Sequence, residues 1–129
     1  MLNGQTVLIV EAEFLIALDI QRMLETLMAG QMIFARSPQE AHEHRQRWSG
    51  VDLAIVEIGR DQDPALSLLS ALQESGIALI IVTTDSTMNQ GHPAFPGAPV
   101  VVKPMVEDAF HGAVTQALDQ SSRTNGYGS

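Results

Sequence analysis

Five short apolar runs punctuate the chain: 6–10 (TVLIV), 32–35 (MIFA), 52–56 (DLAIV), 77–82 (IALIIV) and 100–102 (VVV). Their apolar residues run on continuously instead of alternating with polar ones. This predicts strands covered on both faces. Between them the spacing changes to three and four. Residues 14–28 (FLIALDIQRMLETLM) place Leu15, Leu18, Met23 and Leu27 on one side and Asp19, Arg22, Glu25 and Thr26 on the other. That predicts a helix with Met23 and Leu27 in the core, ended by Ala29-Gly30. Ser37 reads as an N-cap, with Pro38 in the first turn and Glu40 at the capping-box position. The helix it opens should run to about Trp48, which covers its end before Gly50. A third helix over 65–75 carries Leu66, Leu69 and Leu72 and stops at Gly76. A last one over 106–119 carries Phe110, Val114 and Leu118.

Two segments break the rhythm. Residues 59–64 (GRDQDP) read as a loop. Residues 84–99 contain Gly91, Pro93, Pro96, Gly97 and Pro99, so any helix there must be short. The remainder alternates strand and helix. The expected architecture is therefore α/β: a doubly wound, five-stranded parallel sheet with helices on both faces. Residues 1–120 form one domain, and 121–129 (SSRTNGYGS) form a flexible tail.

Such sheets bind ligands at the carboxyl ends of their strands. Four apolar runs end there in a polar residue: Glu11, Glu57, Thr83 and Lys103. Lys103 is the only lysine in the chain, and Pro104 turns the backbone away immediately after it. If the strands are parallel, these four side chains share one edge.

At 129 residues the chain can bury roughly two thirds of its unfolded surface. Apolar residues make up 45% and charged residues 17%, a globular balance. The absence of cysteine excludes disulfides and thiolate chemistry. The net charge of −8 and the lack of a basic stripe argue against nucleic-acid binding. No apolar run approaches the ~20 residues of a membrane span. The amino-terminal segment has no basic region ahead of its first strand, so no signal peptide is expected and a cytoplasmic protein is the simplest reading.

The order of these strand-end residues resembles that of response-regulator receiver domains of the CheY-like type, whose fold is flavodoxin-like with strand order 2-1-3-4-5. The resemblance spans 6 to about 119. VLIVEAE is similar to receivers that read Glu-Asp-Glu after the first strand, and FPGAPVVVKPM (95–105) to those with a reduced fourth helix. In that family an aspartate ending strand three accepts a phosphoryl group. Two acids after strand one hold magnesium, and a Ser or Thr and a Lys bind the phosphoryl oxygens. The metal and lysine neutralise charge on the transferred group while the aspartate supplies the nucleophile.

The chain departs from this pattern. Glu57 stands in place of the acceptor aspartate. Ala12 stands in place of the direct magnesium ligand, leaving Glu11 from the acidic pair. Thr84 occupies a position usually held by Ala or Gly, and Val100 that of the switch aromatic, while Thr83 and Lys103 are retained. Only a vestigial metal set remains (Glu11, Glu57, Gly59), so magnesium binding should be weak or absent and no other cofactor is implied. The expectation is a pseudo-receiver, not an enzyme, working by contact with a signalling protein. A histidine kinase or phosphotransfer protein is the partner class that the resemblance suggests, and oligomerisation is compatible with it. The alternative is a phosphoacceptor that uses Glu57. Elsewhere, Glu13 fits the start of the first helix, where negative charge suits the dipole. His42 and His44 are two apart and face different ways, and His92 and His111 are isolated, so none suggests a metal or catalytic site.

Overall fold

The computed structural model describes residues 2–59 and 63–128, with side chains through Asp119; the tail expected over 121–129 lies outside the residues described in full. The elements are β1 (Val7–Val10), α1 (Phe14–Thr26), β2 (Met32–Ala35), α2 (Pro38–Glu43), β3 (Leu53–Ile58), α3 (Asp63–Glu74), β4 (Ala78–Thr83), β5 (Val100–Val102) and α4 (Glu107–Gly128). The strands form one parallel sheet in the order β2-β1-β3-β4-β5.

Side chains alternate across each strand, so the sheet divides the core into two layers. Leu8, Val10, Ala54, Val56, Leu79 and Ile81 pack with Leu68, Leu69 and Leu72 of α3 and with Trp48. Val7, Ile9, Leu53, Ile55, Ile80 and Val82 pack with Ile20 and Leu24 of α1 and with Phe110 and Val114 of α4. Both faces are covered, which is why the strand sequences show no polar alternation.

Helix α1 differs from the face expected for it. Ala17, Ile20, Met23 and Leu24 are buried, with Leu27 just beyond the helix, whereas Leu15 is 76% exposed and Leu18 42% exposed. The first turns are apolar nearly all round, so periodicity alone does not choose a stripe. The sheet takes the one that continues to Leu24 and Leu27.

The second helix also ends early, at Glu43, and the chain tightens into a 3-10 turn over Arg45–Gly50. There Trp48 is buried, and its indole Nε1 donates to the Ala41 carbonyl at 3.1 Å. The ring thus adds a second donor to a carbonyl that also accepts the His44 N–H at 3.1 Å, and its own N–H is satisfied in the core. At the start of α2 the Ser37 hydroxyl accepts the Glu40 N–H at 3.1 Å, as the sequence pattern requires.

Between β4 and β5 the helix position expected to be short holds only a 3-10 turn, Ser86–Met88. An antiparallel bridge between His92 and Phe95 follows, with Phe95 and Ala98 buried in the α3 layer. No helix among the described residues is long and apolar enough to cross a membrane.

The amino-terminal turn closes against Gly30. Leu2 and Gly4 donate to the carbonyls of Leu27 and Met28, and Gly30 donates to that of Gln5. A Cβ on Gly30 would lie 2.1 Å from the Gly4 carbonyl oxygen, a backbone atom with nowhere to go. Gly30→Ala is therefore expected to cost about 3 kcal/mol, read as a lower urea midpoint with unchanged slope. A loss under about 0.5 kcal/mol would mean the turn moves freely.

Candidate functional site

The parallel register brings three charged residues together. Glu11 follows β1, Glu57 is the penultimate residue of β3, and Lys103 follows β5. Glu57 is level with Val82, and Val82 with Val101, so Lys103 begins two residues beyond the level of Glu57 and reaches back. Each of the three continues the alternation of side chains in the α1–α4 layer: Val7 and Ile9, Leu53 and Ile55, Val101.

The Lys103 ammonium is bonded to Glu57 Oε2 and lies 3.0 Å from Glu11 Oε1. Its side chain is only 8% exposed, and its backbone N–H is held by the Thr83 carbonyl at 2.8 Å. Glu11 is buried, and its other oxygen accepts the Glu13 N–H at 3.0 Å. Burial pushes the Glu11 carboxyl above its ordinary value, only partly offset by the Glu13 N–H and the ammonium. Burial works against the charged form of Lys103 as well. Its bonds to Glu57 and Glu11 outweigh that cost, so its pKa is raised.

Thr83 does not join this cluster. It follows Leu79 and Ile81, which pack in the other layer, and its buried hydroxyl accepts the Asp85 N–H at 3.1 Å. Asp85 in turn accepts from the backbone and hydroxyl of Thr87, and these bonds hold its carboxyl below the ordinary range. Thr83 thus serves as a local cap that shapes the short 3-10 turn. Thr84 is exposed in the same loop, and Gly59 is exposed just after β3. Val100 is half-buried against the α3 layer.

One residue that sequence reasoning assigned only to a helix start belongs here. The carboxylates of Glu11, Glu13 and Glu57 offer oxygens within 4.8 Å of one another. Glu13 is the N-cap of α1 without a side-chain cap bond, so its carboxylate is available. The available signal was its place two residues beyond a strand-end acid.

Magnesium would be the metal implied by this kind of edge. It requires near-octahedral oxygen ligands. Ala12 offers none, and Glu11 and Glu57 already share the Lys103 ammonium. Of the three converging carboxylates only that of Glu13 is not paired with the ammonium, whose positive charge opposes a divalent ion placed among them, so the residues as arranged do not fit magnesium. Beside the cluster, a cleft of about 500 Å³ between α1 and the β5–α4 connection reaches Lys103 and is lined by Asp19, Arg22 and Met105.

No family model and no curated protein matches the sequence. Solved structures do. A response regulator receiver protein from Sinorhizobium medicae WSM419 gives a TM-score of 0.77 at 18% identity, over 94% of this chain and 99% of that one. SdrG from Sphingomonas melonis Fr1 gives 0.73 at 26% identity, over 92% and 99%. The anti-anti-sigma factor PhyR from Bartonella quintana gives 0.75 at 25% identity, over 98% of this chain but 52% of that one. The fold is that of response-regulator receiver domains, CheY-like, and several of its structural neighbours are named response regulators or receiver domains.

Proposed function

We propose that this domain is a pseudo-receiver: a cytoplasmic signalling module that works through protein–protein contacts, accepts no phosphoryl group and catalyses no reaction. One observation carries the reading. The Lys103 ammonium is already engaged by Glu57 and Glu11, while Ala12 supplies no metal-binding oxygen beside them. Glutamate is one methylene longer than aspartate, so its carboxylate sits roughly 1 Å farther from the backbone. That length lets Glu57 place negative charge where a transferred phosphoryl group would sit. A misplacement on this scale costs a positioned nucleophile about two orders of magnitude in rate.

The neighbour from Bartonella quintana is named an anti-anti-sigma factor, which supports a partner that is itself a signalling protein. The partner class favoured here is a histidine kinase or phosphotransfer protein, and the charge of −8 disfavours nucleic acid. A second reading, phosphorylation of Glu57, draws on the convergence of Glu11, Glu13 and Glu57 within 4.8 Å.

A phosphorylation-independent module should have a fixed face around β5. Val100 has one stiff torsion and little reach, so it cannot swing between buried and exposed rotamers as an aromatic ring can. Glu57→Gln removes the charge at nearly constant shape. Amide shifts in that variant should change only beside residues 11, 57 and 103. Concerted shifts across 83–111 would reveal a two-state switch and contradict the reading.

A further inference from the structure

The described residues expose six large apolar side chains, and three of them border one groove. Phe14 is 72% exposed at the start of α1, Leu18 lies one turn on, and Phe34 is 41% exposed on β2, the edge strand of the sheet. Together with Ala12, Ala17 and Ala35 they line a groove of about 570 Å³. Leu15, beside Phe14 on α1, extends the apolar surface outside it. These four large residues expose on the order of 400 Å² of apolar area, about half of one side of a standard interface and within the roughly 300–600 Å² of the largest patch on a typical monomer, which is often functional.

The charge around the groove selects its occupant. Of the charged residues lining it, Glu11 at the inner end already has Lys103, and Glu40, 4.0 Å from the His44 imidazole, shares the lining with Arg36; exposed Glu13, between the lining residues Ala12 and Phe14 in sequence, adds a further carboxylate at the rim. The chain as a whole carries −8, so a second copy would meet repulsion and a cationic partner attraction. Ala12 adds to the contrast: a methyl group stands at the mouth where a carboxylate would keep the groove hydrated.

We propose that this α1–β2 groove is a docking surface for a basic amphipathic helix of a partner protein, with apolar anchors between Phe14, Leu18 and Phe34 and a Lys or Arg toward Glu13 and Glu40. The proposal rests on the contact-based function above and places the contact on the edge opposite β5. Docking of this kind reads an apolar stripe at helical spacing through its anchors, with charge setting specificity. Because buried Glu11 lies at the inner end of the groove and also faces Lys103, an occupant sits next to the charged cluster.

Two synthetic helical peptides with one Leu-rich face, differing only in Lys or Glu on the polar face, provide the probe. In amide-shift titrations the Lys peptide should move residues 12, 14, 18, 34 and 40 saturably. The Glu peptide should bind at least tenfold more weakly, and Phe34→Ser should weaken the Lys peptide at least tenfold. Val106→Ser, which removes an exposed apolar residue outside the groove, should leave binding unchanged. The proposal is overturned by a flat titration at millimolar peptide, by equal binding of both peptides, or by an indifferent Phe34→Ser. Shifts at these residues that follow protein concentration without peptide would overturn it too, since a second copy would then be the occupant. A phosphoryl group found on the domain would instead remove the underlying function and leave the peptide result standing.

Discussion

Replacing Lys103 with Met is expected to destabilise the domain by about 3–5 kcal/mol at pH 7, measured by urea unfolding. The substitution keeps an unbranched apolar stem but strands two carboxylates, one of them fully buried. Breaking a buried pair by removing one partner costs this much because the remaining charge is left uncompensated in a poorly polarisable place. Glu11→Gln should cost far less, about 1 kcal/mol or under. Burial already pushes the Glu11 carboxyl upward, which means the ionised form is disfavoured in the fold, and an amide still accepts the Glu13 N–H.

The two shifts also fix the pH dependence. Glu11 has a raised folded pKa, so its contribution is present below its ordinary 4.5 and is lost as pH rises through the folded value. Protonating it therefore relieves the Lys103→Met variant, and the deficit should shrink as pH falls from 7 toward 4. Lys103 is raised above its ordinary 10.5, so its stabilisation persists to that pH and fades only as pH climbs through the folded value. A deficit that does not change between pH 7 and 4 would show that the stranded carboxylates are not its cause.

The second large effect is a gain. Ala12→Asp combined with Glu57→Asp should confer magnesium affinity and phosphorylation by acetyl phosphate, at least about 100-fold faster than the parent. The first change adds a carboxylate beside Glu11. The second draws the strand-end carboxylate back from Lys103 by a methylene and frees the ammonium to meet an incoming anion. Each change alone leaves one fault in place, so the single variants should stay near the parent. Inertness of the double variant toward both metal and phosphodonor would move the block to Thr83, whose hydroxyl is turned into its own loop, or to the exposed Thr84.

The layered core was legible because five unbroken apolar runs leave few alternatives to a covered parallel sheet, whereas the sheet order was what the resemblance to receiver domains implied. The reduced helix position between β4 and β5 was legible for a chemical reason, since Pro93, Pro96 and Pro99 deny the backbone a ladder. The convergence of Glu57 and Lys103 followed from their places at strand ends. Three features were not legible. The buried stripe of α1 was ambiguous because Phe14, Leu15, Ile16 and Leu18 leave no polar side in its first turns. The direction of Thr83 depends on which layer its parity faces and on a local bond to Asp85, both set by exact strand bounds. Glu13 entered the charged cluster because the turn after β1 is tight enough for its N–H to reach Glu11, a loop geometry that residue types alone do not specify.

At this sheet edge an internal Glu57–Lys103 ion pair is proposed to stand in place of phosphoryl chemistry. Intact mass after incubation with magnesium and acetyl phosphate tests it most directly, with the Ala12→Asp, Glu57→Asp variant alongside as the competent control. The account predicts an unmodified parent and a phosphorylated variant. A stoichiometric phosphoryl mass increase on the parent, mapped to Glu57, would contradict it.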